Sequence, residues 1–97
     1  MLENIVYMEL LRRGYEVTVG KMNQKEVDFI AEKRGEKLYV QVCYLLASEQ
    51  VKEREFSVLL AINDNFPKYV VSMDELEQSY LGIKHMNIRD FLQSGKL

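Results

Sequence analysis

Four side chains in the first half of the sequence are candidates for chemistry, namely Glu3, Asp28, Gln41 and Cys43. Asp28 is an acid within an otherwise apolar run, and a carboxylate in such a strand needs a partner. Gln41 and Cys43 are two residues apart, so they lie on one face of a strand. The separation of Asp28 and Gln41, 41 − 28 = 13 residues, is that of a hairpin that brings them side by side. These positions form the one plausible catalytic constellation of the sequence, and it is incomplete.

Each candidate also has a structural explanation. Glu3 is a first-turn acid that suits the helix dipole, and this explanation is weighed evenly against a role in a site. For Asp28 the interpretation as a site position is favoured over a chance edge residue. Gln41 is predicted to be a buried, hydrogen-bonded amide, and Cys43 a small buried hydrophobe. His85, the only histidine, is predicted to be an exposed strand residue without a metal role.

Hydrophobic periodicity and turn signals predict the elements that position these residues. Helices are expected over residues 2–13 and 49–62, with Gly14 ending the first, Ser48 capping the second and residues 52–55 forming a solvated helix face. Strands are expected at 15–19, 27–32, 38–46, 68–73 and 83–88, and a short helix capped by Asn87 at 88–92. The first three strands should form an antiparallel meander, and the fourth should run parallel to the third. The predicted fold class is therefore α/β (α+β), with a mixed sheet and flanking helices.

Composition limits the class of protein. The chain has 97 residues with 47% hydrophobic and 29% charged residues, which is typical of one globular domain. No apolar run approaches the roughly 20 residues of a membrane-spanning helix. The net charge of −2 argues against strong independent DNA binding. Cys43 is the only cysteine, which excludes an internal disulfide and fits a reducing cytoplasm.

The order of elements and these residues resemble the PD-(D/E)XK nuclease superfamily, which has the restriction-endonuclease-like fold. The resemblance implies that Asp28 is the conserved acid, that Glu3 is the helix acid, and that residues 41–43 occupy the acid-X-lysine triplet. Two departures are serious, because Gln41 replaces a metal-binding carboxylate and Cys43 replaces the lysine. A migrated lysine, Lys33 or Lys37, is the alternative source of that positive charge. Mg²⁺ is therefore expected to bind only weakly, through Asp28 and Glu3.

A second resemblance covers nearly the whole chain. Several blocks are similar to a domain of unknown function at the C-terminus of bacterial and archaeal AAA-type ATPases, among them residues 2–7, 10–17, 26–31, 39–42, 64–69, 72–75 and 82–85. In that family the domain follows the ATPase, and its triplet already carries glutamine. This chain likewise has no GxxxxGK[ST] motif, so ATP would be bound only by an ATPase domain outside residues 1–97.

The resemblances lead to one leading expectation and two alternatives. The leading one is an accessory or interaction module of an AAA-type ATPase whose degenerate, inactive nuclease-like site assigns no catalytic residue. Its partners would be the ATPase domain of the same chain, another protein, or weakly bound DNA. The alternatives are a metal-dependent DNA nuclease with an unorthodox site and a non-catalytic DNA-binding module.

Overall fold

The computed structural model of the protein describes residues 1–22, 25–46, 48–75 and 78–94, with the side chains of residues 21, 22, 25 and 26 left out. The elements are, in order, α1 (Leu2–Arg12), β1 (Glu16–Met22), β2 (Lys25–Lys33), β3 (Glu36–Cys43), α2 (Glu49–Leu60), β4 (Lys68–Ser72), β5 (Lys84–Asn87) and α3 (Ile88–Gln93). The five strands form one sheet in the order β1-β2-β3-β4-β5. The first three strands pair antiparallel, and β4 and β5 run parallel to β3. The predicted order of elements and the mixed sheet are confirmed, and this is the arrangement that the restriction-endonuclease-like resemblance implies.

The predicted helix boundaries have identifiable caps. The Ser48 hydroxyl accepts the Val51 N–H at 3.2 Å and begins α2. The Asn87 side chain accepts the Arg89 N–H at 2.8 Å and begins α3. The chain leaves α1 at Gly14, whose φ of +91° lies in the left-handed region that suits glycine.

The helices divide between the two faces of the sheet. Alternate residues of β3 point to opposite faces, so Leu38, Val40 and Val42 pack with α1 and α3. Tyr39 and Cys43 pack with α2 on the other face. Each face of the sheet therefore has its own apolar core. The even-numbered residues of β3 point to the core under α1 and α3, and the odd-numbered ones to the core under α2.

An irregularity in β2 interrupts this alternation next to Asp28. Thr18 pairs with Ile30 and Gly20 with Val27, so two steps along β1 correspond to three along β2. The extra residue is a β-bulge, which places Val27 and Ile30 in the same core. The pairing of β2 with β3 ends at Phe29 and Val40. Asp28 therefore lies where β2 departs from its regular pairing with both neighbouring strands.

A charged cluster ties α1 to the C-terminal part of the described chain. Glu9 accepts hydrogen bonds from Arg12 and Arg13, and Arg13 also donates to the main-chain oxygens of Phe91 and Ser94 at 2.5 and 2.7 Å. These hydrogen bonds, chiefly that from Arg12, lower the pKa of Glu9 to about 2. The cluster, which we call the Glu9 clamp, satisfies main-chain carbonyls near the end of α3.

Candidate functional site

Asp28 and Gln41 face each other across the point where β2 and β3 separate. The Asp28 carboxylate accepts the Val42 main-chain N–H at 2.8 Å. The Gln41 side-chain oxygen accepts the Asp28 main-chain N–H at 3.0 Å. These two bonds replace the inter-strand main-chain bonds that a regular antiparallel pair would make here. We call this pair of bonds the β2–β3 clasp.

The clasp accounts for the residue types at both positions. Gln41 is 6% exposed, and a neutral amide satisfies a buried N–H without the cost of burying a second charge. The predictions that Asp28 has a partner and that Gln41 is a buried, hydrogen-bonded amide are confirmed. The spacing of 13 residues also brings the two side by side, as predicted.

Glu55 of α2 adds a second carboxylate to the site. Its side chain is 14% exposed, and it hydrogen-bonds to Gln41. Burial raises the pKa of Glu55, and the nearby charge of Asp28 raises it further. The site thus has two acids that repel one another.

The expectation that residues 52–55 form a solvated helix face is wrong for Glu55. Glu55 is four residues after Val51 and three before Val58, and both of these pack against the core under α2. Helical spacing therefore turns Glu55 toward the sheet, whereas Glu53 and Arg54 are exposed. The signal was present in the apolar stripe of α2, because a charged residue inside that stripe must face the sheet.

Cys43 completes the cluster but is not chemically activated. Its thiol donates to the Leu45 carbonyl oxygen at 3.1 Å and is half-buried, where a small buried hydrophobe was predicted. Burial raises the pKa of the Cys43 thiol, and the charge of Glu55 adds to that effect. A thiol with a raised pKa is a poor nucleophile and carries no positive charge toward a phosphate.

Glu3 is an exposed residue of α1. Asp28 and Glu55 meet on the side of the sheet that α2 covers, whereas α1 packs on the other side. Within the described parts of the chain, no three His, Cys, Asp or Glu side chains are grouped closely enough to hold a metal ion. The role of Glu3 as a metal ligand stays a prediction.

The two lysines considered as migrated catalytic groups are engaged elsewhere. The Lys33 ammonium donates to the Arg13 carbonyl oxygen at 2.9 Å and lies 4.5 Å from the centre of the Tyr15 ring. The Lys37 ammonium lies 5.4 and 5.9 Å from the ring centres of Tyr39 and Phe66. Neither contact is with the residues of the clasp.

His85 is buried rather than exposed, so its prediction is wrong. It is 3% exposed, and its Nε2 lies 2.6 Å from the hydroxyl oxygen of Ser72. The segment after β4 covers β5, because the Ser79 hydroxyl accepts the His85 main-chain N–H and Asn87 donates to the carbonyl oxygens of Met73 and Asp74. Sequence alternation could not show that a loop covers this edge of the sheet.

An apolar rim borders the site at the ends of β3 and β4. Tyr44, Leu45 and Met73 are exposed, and the Met73 N–H donates to the Tyr44 carbonyl oxygen at 2.9 Å. This rim continues the strand that carries Gln41 and Cys43. Apolar side chains thus stand beside the acids at this end of the sheet.

The fold and the site define a small α+β domain with acids, an amide and a thiol at a strand divergence. No protein-family model matches the chain. A protein of Haemophilus influenzae, called an uncharacterized protein, is 46% identical over 92 residues, which is 94% of this chain but 22% of that protein. The chain thus spans about a fifth of the length of the curated relative that it matches.

Among solved structures, the chain is similar to an XisH family protein from Nostoc punctiforme. The match covers 73% of this chain and 67% of that chain, with 16% identity and a TM-score of 0.47. As for membranes, no helix in the part of the chain that the structure describes is long and apolar enough to cross one.

Proposed function

We propose that this domain is a non-catalytic interaction module whose nuclease-like site is degenerate. The observation that carries the proposal is the β2–β3 clasp, in which the Asp28 carboxylate accepts the Val42 N–H at 2.8 Å. A carboxylate that completes the main-chain hydrogen bonding has a structural role that does not require a metal. The clasp therefore explains why Asp28 and Gln41 stand here without invoking catalysis.

The electrostatics of the site support the same proposal. Phosphodiester cleavage needs positive charge, from metal ions and often a lysine, near the scissile phosphate. Here Asp28 and Glu55 lie beside Cys43, and the nearest described cation, Arg54, is 71% exposed and lies 3.6 Å from Glu55. Carboxylates at this position repel a nucleic-acid backbone, which disfavours a DNA-binding module.

The partner that we propose is the ATPase portion of a longer protein of the AAA type. The resemblance of the sequence blocks to the C-terminal domain of such ATPases motivates this choice. The length of the Haemophilus relative is compatible with it, because the matched region is 22% of that protein. The apolar rim of Tyr44, Leu45 and Met73 is a surface suited to contact with another domain.

One observation favours a second candidate, a metal-dependent nuclease with an unorthodox site. Glu55 supplies a carboxylate near Asp28, whereas Gln41 carries an amide where the nuclease superfamily has a carboxylate. Mg²⁺ or Mn²⁺ prefers such oxygen ligands and would relieve the repulsion between the two acids. This candidate still lacks a described lysine near the clasp.

Cleavage assays separate the two candidates. Wild-type protein is incubated with labelled single-stranded, double-stranded and branched DNA in Mg²⁺ or Mn²⁺, beside Asp28→Asn, which keeps an acceptor for the Val42 N–H. We expect no cleavage by either protein, because loss of the ligand carboxylate and the lysine slows the reaction by roughly four orders of magnitude. Cleavage by wild type that Asp28→Asn abolishes would establish the nuclease instead.

Calorimetry with Mn²⁺ gives an independent measurement. We expect weak binding, in the millimolar range, that is similar for wild type and Glu55→Gln. A micromolar site that both Asp28→Asn and Glu55→Gln remove would show that the two carboxylates form a working metal centre. That result would support the second candidate even if no DNA substrate were cleaved.

A further inference from the structure

The sheet has two edge strands, β1 and β5, and they differ in how they are covered. The segment after β4 covers β5, where the Ser79 hydroxyl accepts the His85 main-chain N–H at 3.1 Å. In the described parts of the chain, no main-chain hydrogen bond reaches residues 16–20 of β1 from outside the sheet. Such an edge presents a row of N–H and C=O groups to which a further strand can pair.

The turn between β2 and β3 decides which main-chain groups of β1 form this row. Arg34 and Gly35 have φ values of +53° and +80°, as in a two-residue type I′ turn. The residues that flank such a turn, Lys33 and Glu36, form a hydrogen-bonded pair. Because the direction of the main-chain groups alternates along a strand, those of Glu32 point away from β3 and toward β1.

The same alternation runs along β1. Glu32 pairs with Glu16, so Glu16 and Thr18 direct their main-chain groups toward β2. Val17 and Val19 lie at the intervening positions. Their N–H and C=O groups therefore point outward, away from the sheet.

The side chains of this edge are of the kinds that pair well between strands. Val17, Thr18 and Val19 are β-branched, Thr18 is exposed, and Val19 is 68% exposed. Residues 17–20 include no proline and no charged residue, which are the residue types that block pairing at natural edges. The sequence valine–threonine–valine is also the same in both directions, so it matches an antiparallel copy of itself.

We propose that two copies of the chain pair edge to edge through β1, antiparallel, about a two-fold axis at Thr18. Val17 of one copy lies opposite Val19 of the other, and these two residues exchange the outward main-chain hydrogen bonds. Thr18 lies opposite Thr18 of the second copy, which is a favourable cross-strand pair, and Glu16 lies opposite Gly20. The two five-stranded sheets become one, and the covered β5 strands at its ends stop the assembly at two chains.

The side chains favour an axis at Thr18 over a neighbouring register. An axis at Val19 would also pair outward main-chain groups, but it would place Val17 opposite Lys21 and leave one apolar pair instead of two. Only a few residues of each chain take part, compared with about 20–30 residues a side in a stable interface. The dimer should therefore be weak and form at high protein concentration.

Val19→Lys tests the edge, because it adds a charge at an exposed position and leaves both cores unchanged. Leu81→Lys is the matched control, since Leu81 is 70% exposed and lies in the turn before β5, at the opposite edge of the sheet. In sedimentation equilibrium up to about 1 mM protein, wild type and Leu81→Lys should form dimers, and Val19→Lys should associate about tenfold or more weakly. The proposal is overturned by a wild type that stays monomeric, by species larger than dimers, or by Val19→Lys and Leu81→Lys associating equally.

A cysteine at the axis tests the register, in a Cys43→Ser background that removes the only native thiol. Thr18→Cys should form a disulfide between two chains on mild oxidation. Its main-chain groups point inward, and the Cα atoms of such opposed residues are about 4.5 Å apart, within reach of a disulfide. Glu16→Cys is exposed on the same face of β1 but lies opposite Gly20 of the second copy, so it should cross-link about tenfold or more slowly. Equal rates of cross-linking would overturn the proposal.

This inference goes beyond the proposed function and does not depend on it. A chain that dimerises through β1 and also cleaves DNA would overturn the proposed function alone. A chain that stays monomeric and cleaves no DNA would overturn the inference alone.

Discussion

Glu9 and Glu55 are both carboxylates with low exposure, and their surroundings change their acidity in opposite directions. In the Glu9 clamp, hydrogen bonds from Arg12 and Arg13 lower the pKa of Glu9 to about 2. At the β2–β3 divergence, burial and the charge of Asp28 raise the pKa of Glu55. The first carboxylate stabilises the fold when it is charged, and the second does so when it is protonated. Two arginines therefore lower the pKa of Glu9, whereas burial and the neighbouring Asp28 raise the pKa of Glu55 despite its contacts with Gln41 and Arg54.

The largest expected change in the free energy of unfolding comes from disrupting the Glu9 clamp. Arg13→Ala removes a donor from Glu9 and leaves the carbonyl oxygens of Phe91 and Ser94 without their guanidinium partner. Removing one partner of a buried charged cluster should lower the free energy of unfolding by about 3 kcal/mol. Urea unfolding followed by circular dichroism measures it, with exposed Arg34→Ala as the matched control. A loss no larger than that of the control would show that the clamp is a surface feature.

Acid should remove the contribution of the clamp. The pKa of Glu9 is about 2 in the folded chain against an ordinary 4.5, so its stabilisation is complete above pH 4.5 and is lost as the pH falls toward 2. With solvent screening, the loss is about 2 kcal/mol. Urea midpoints at pH 6, 4 and 2.5 should therefore fall less steeply for Glu9→Gln than for wild type. Parallel curves would mean that Glu9 titrates normally.

The clasp should tolerate loss of charge but not loss of an acceptor. Asp28→Ala leaves the Val42 N–H without a partner and should cost about 1–2 kcal/mol of stability. Asp28→Asn keeps an oxygen acceptor for the Val42 N–H, so it should be more stable than Asp28→Ala. The two variants are compared by urea unfolding at pH 7. Equal destabilisation by both would indicate that the charge of Asp28, rather than its hydrogen bond, holds the strands.

The smallest expected effect on stability comes from Glu55, and its pH dependence is opposite in sign to that of Glu9. The pKa of Glu55 is raised in the folded state, so keeping this carboxylate charged costs folding free energy. That cost is absent at low pH, where Glu55 is protonated, and appears as the pH rises through the folded pKa. Glu55→Gln should therefore stabilise the fold at pH 7 by about 0.5 kcal/mol, and the gain should vanish on acidification. Thermal unfolding at pH 7 and pH 4 tests this. A destabilised Glu55→Gln at pH 7 would show that the contacts of the carboxylate with Gln41 and Arg54 outweigh the cost of burying its charge.

Most of the fold followed from local sequence signals. Period-two alternation, the stop at Gly14 and the caps Ser48 and Asn87 are properties of neighbouring residues, so the elements could be predicted one at a time. The antiparallel meander and the parallel fourth strand followed from connection lengths. Helix ends differed by a residue or two, because the last turn depends on tertiary contacts.

The site could be predicted only where it involves strands. The hairpin spacing brought Asp28 to Gln41, but no rule of spacing within one strand relates either residue to α2. Glu55 was missed because it ends a run of four charged or polar residues, 52–55, although the residues three and four positions away along its helical stripe are apolar. His85 was wrong for a related reason, since the loop that buries it is polar and has no periodic pattern.

The bulge in β2 has a consequence for comparing this domain with its relatives. One extra residue lies between Val27 and Ile30, so the alternation of side chains between the two faces shifts by one residue there. Odd-numbered residues face the α2 side before the bulge, and even-numbered residues face it after the bulge. Deletion of a single residue there would restore regular alternation along β2. Either Val27 or Ile30 would then turn from the core under α2 toward the opposite face of the sheet. An alignment that matches inward-facing positions through β2 without this offset will therefore assign Asp28 to the wrong column by one residue.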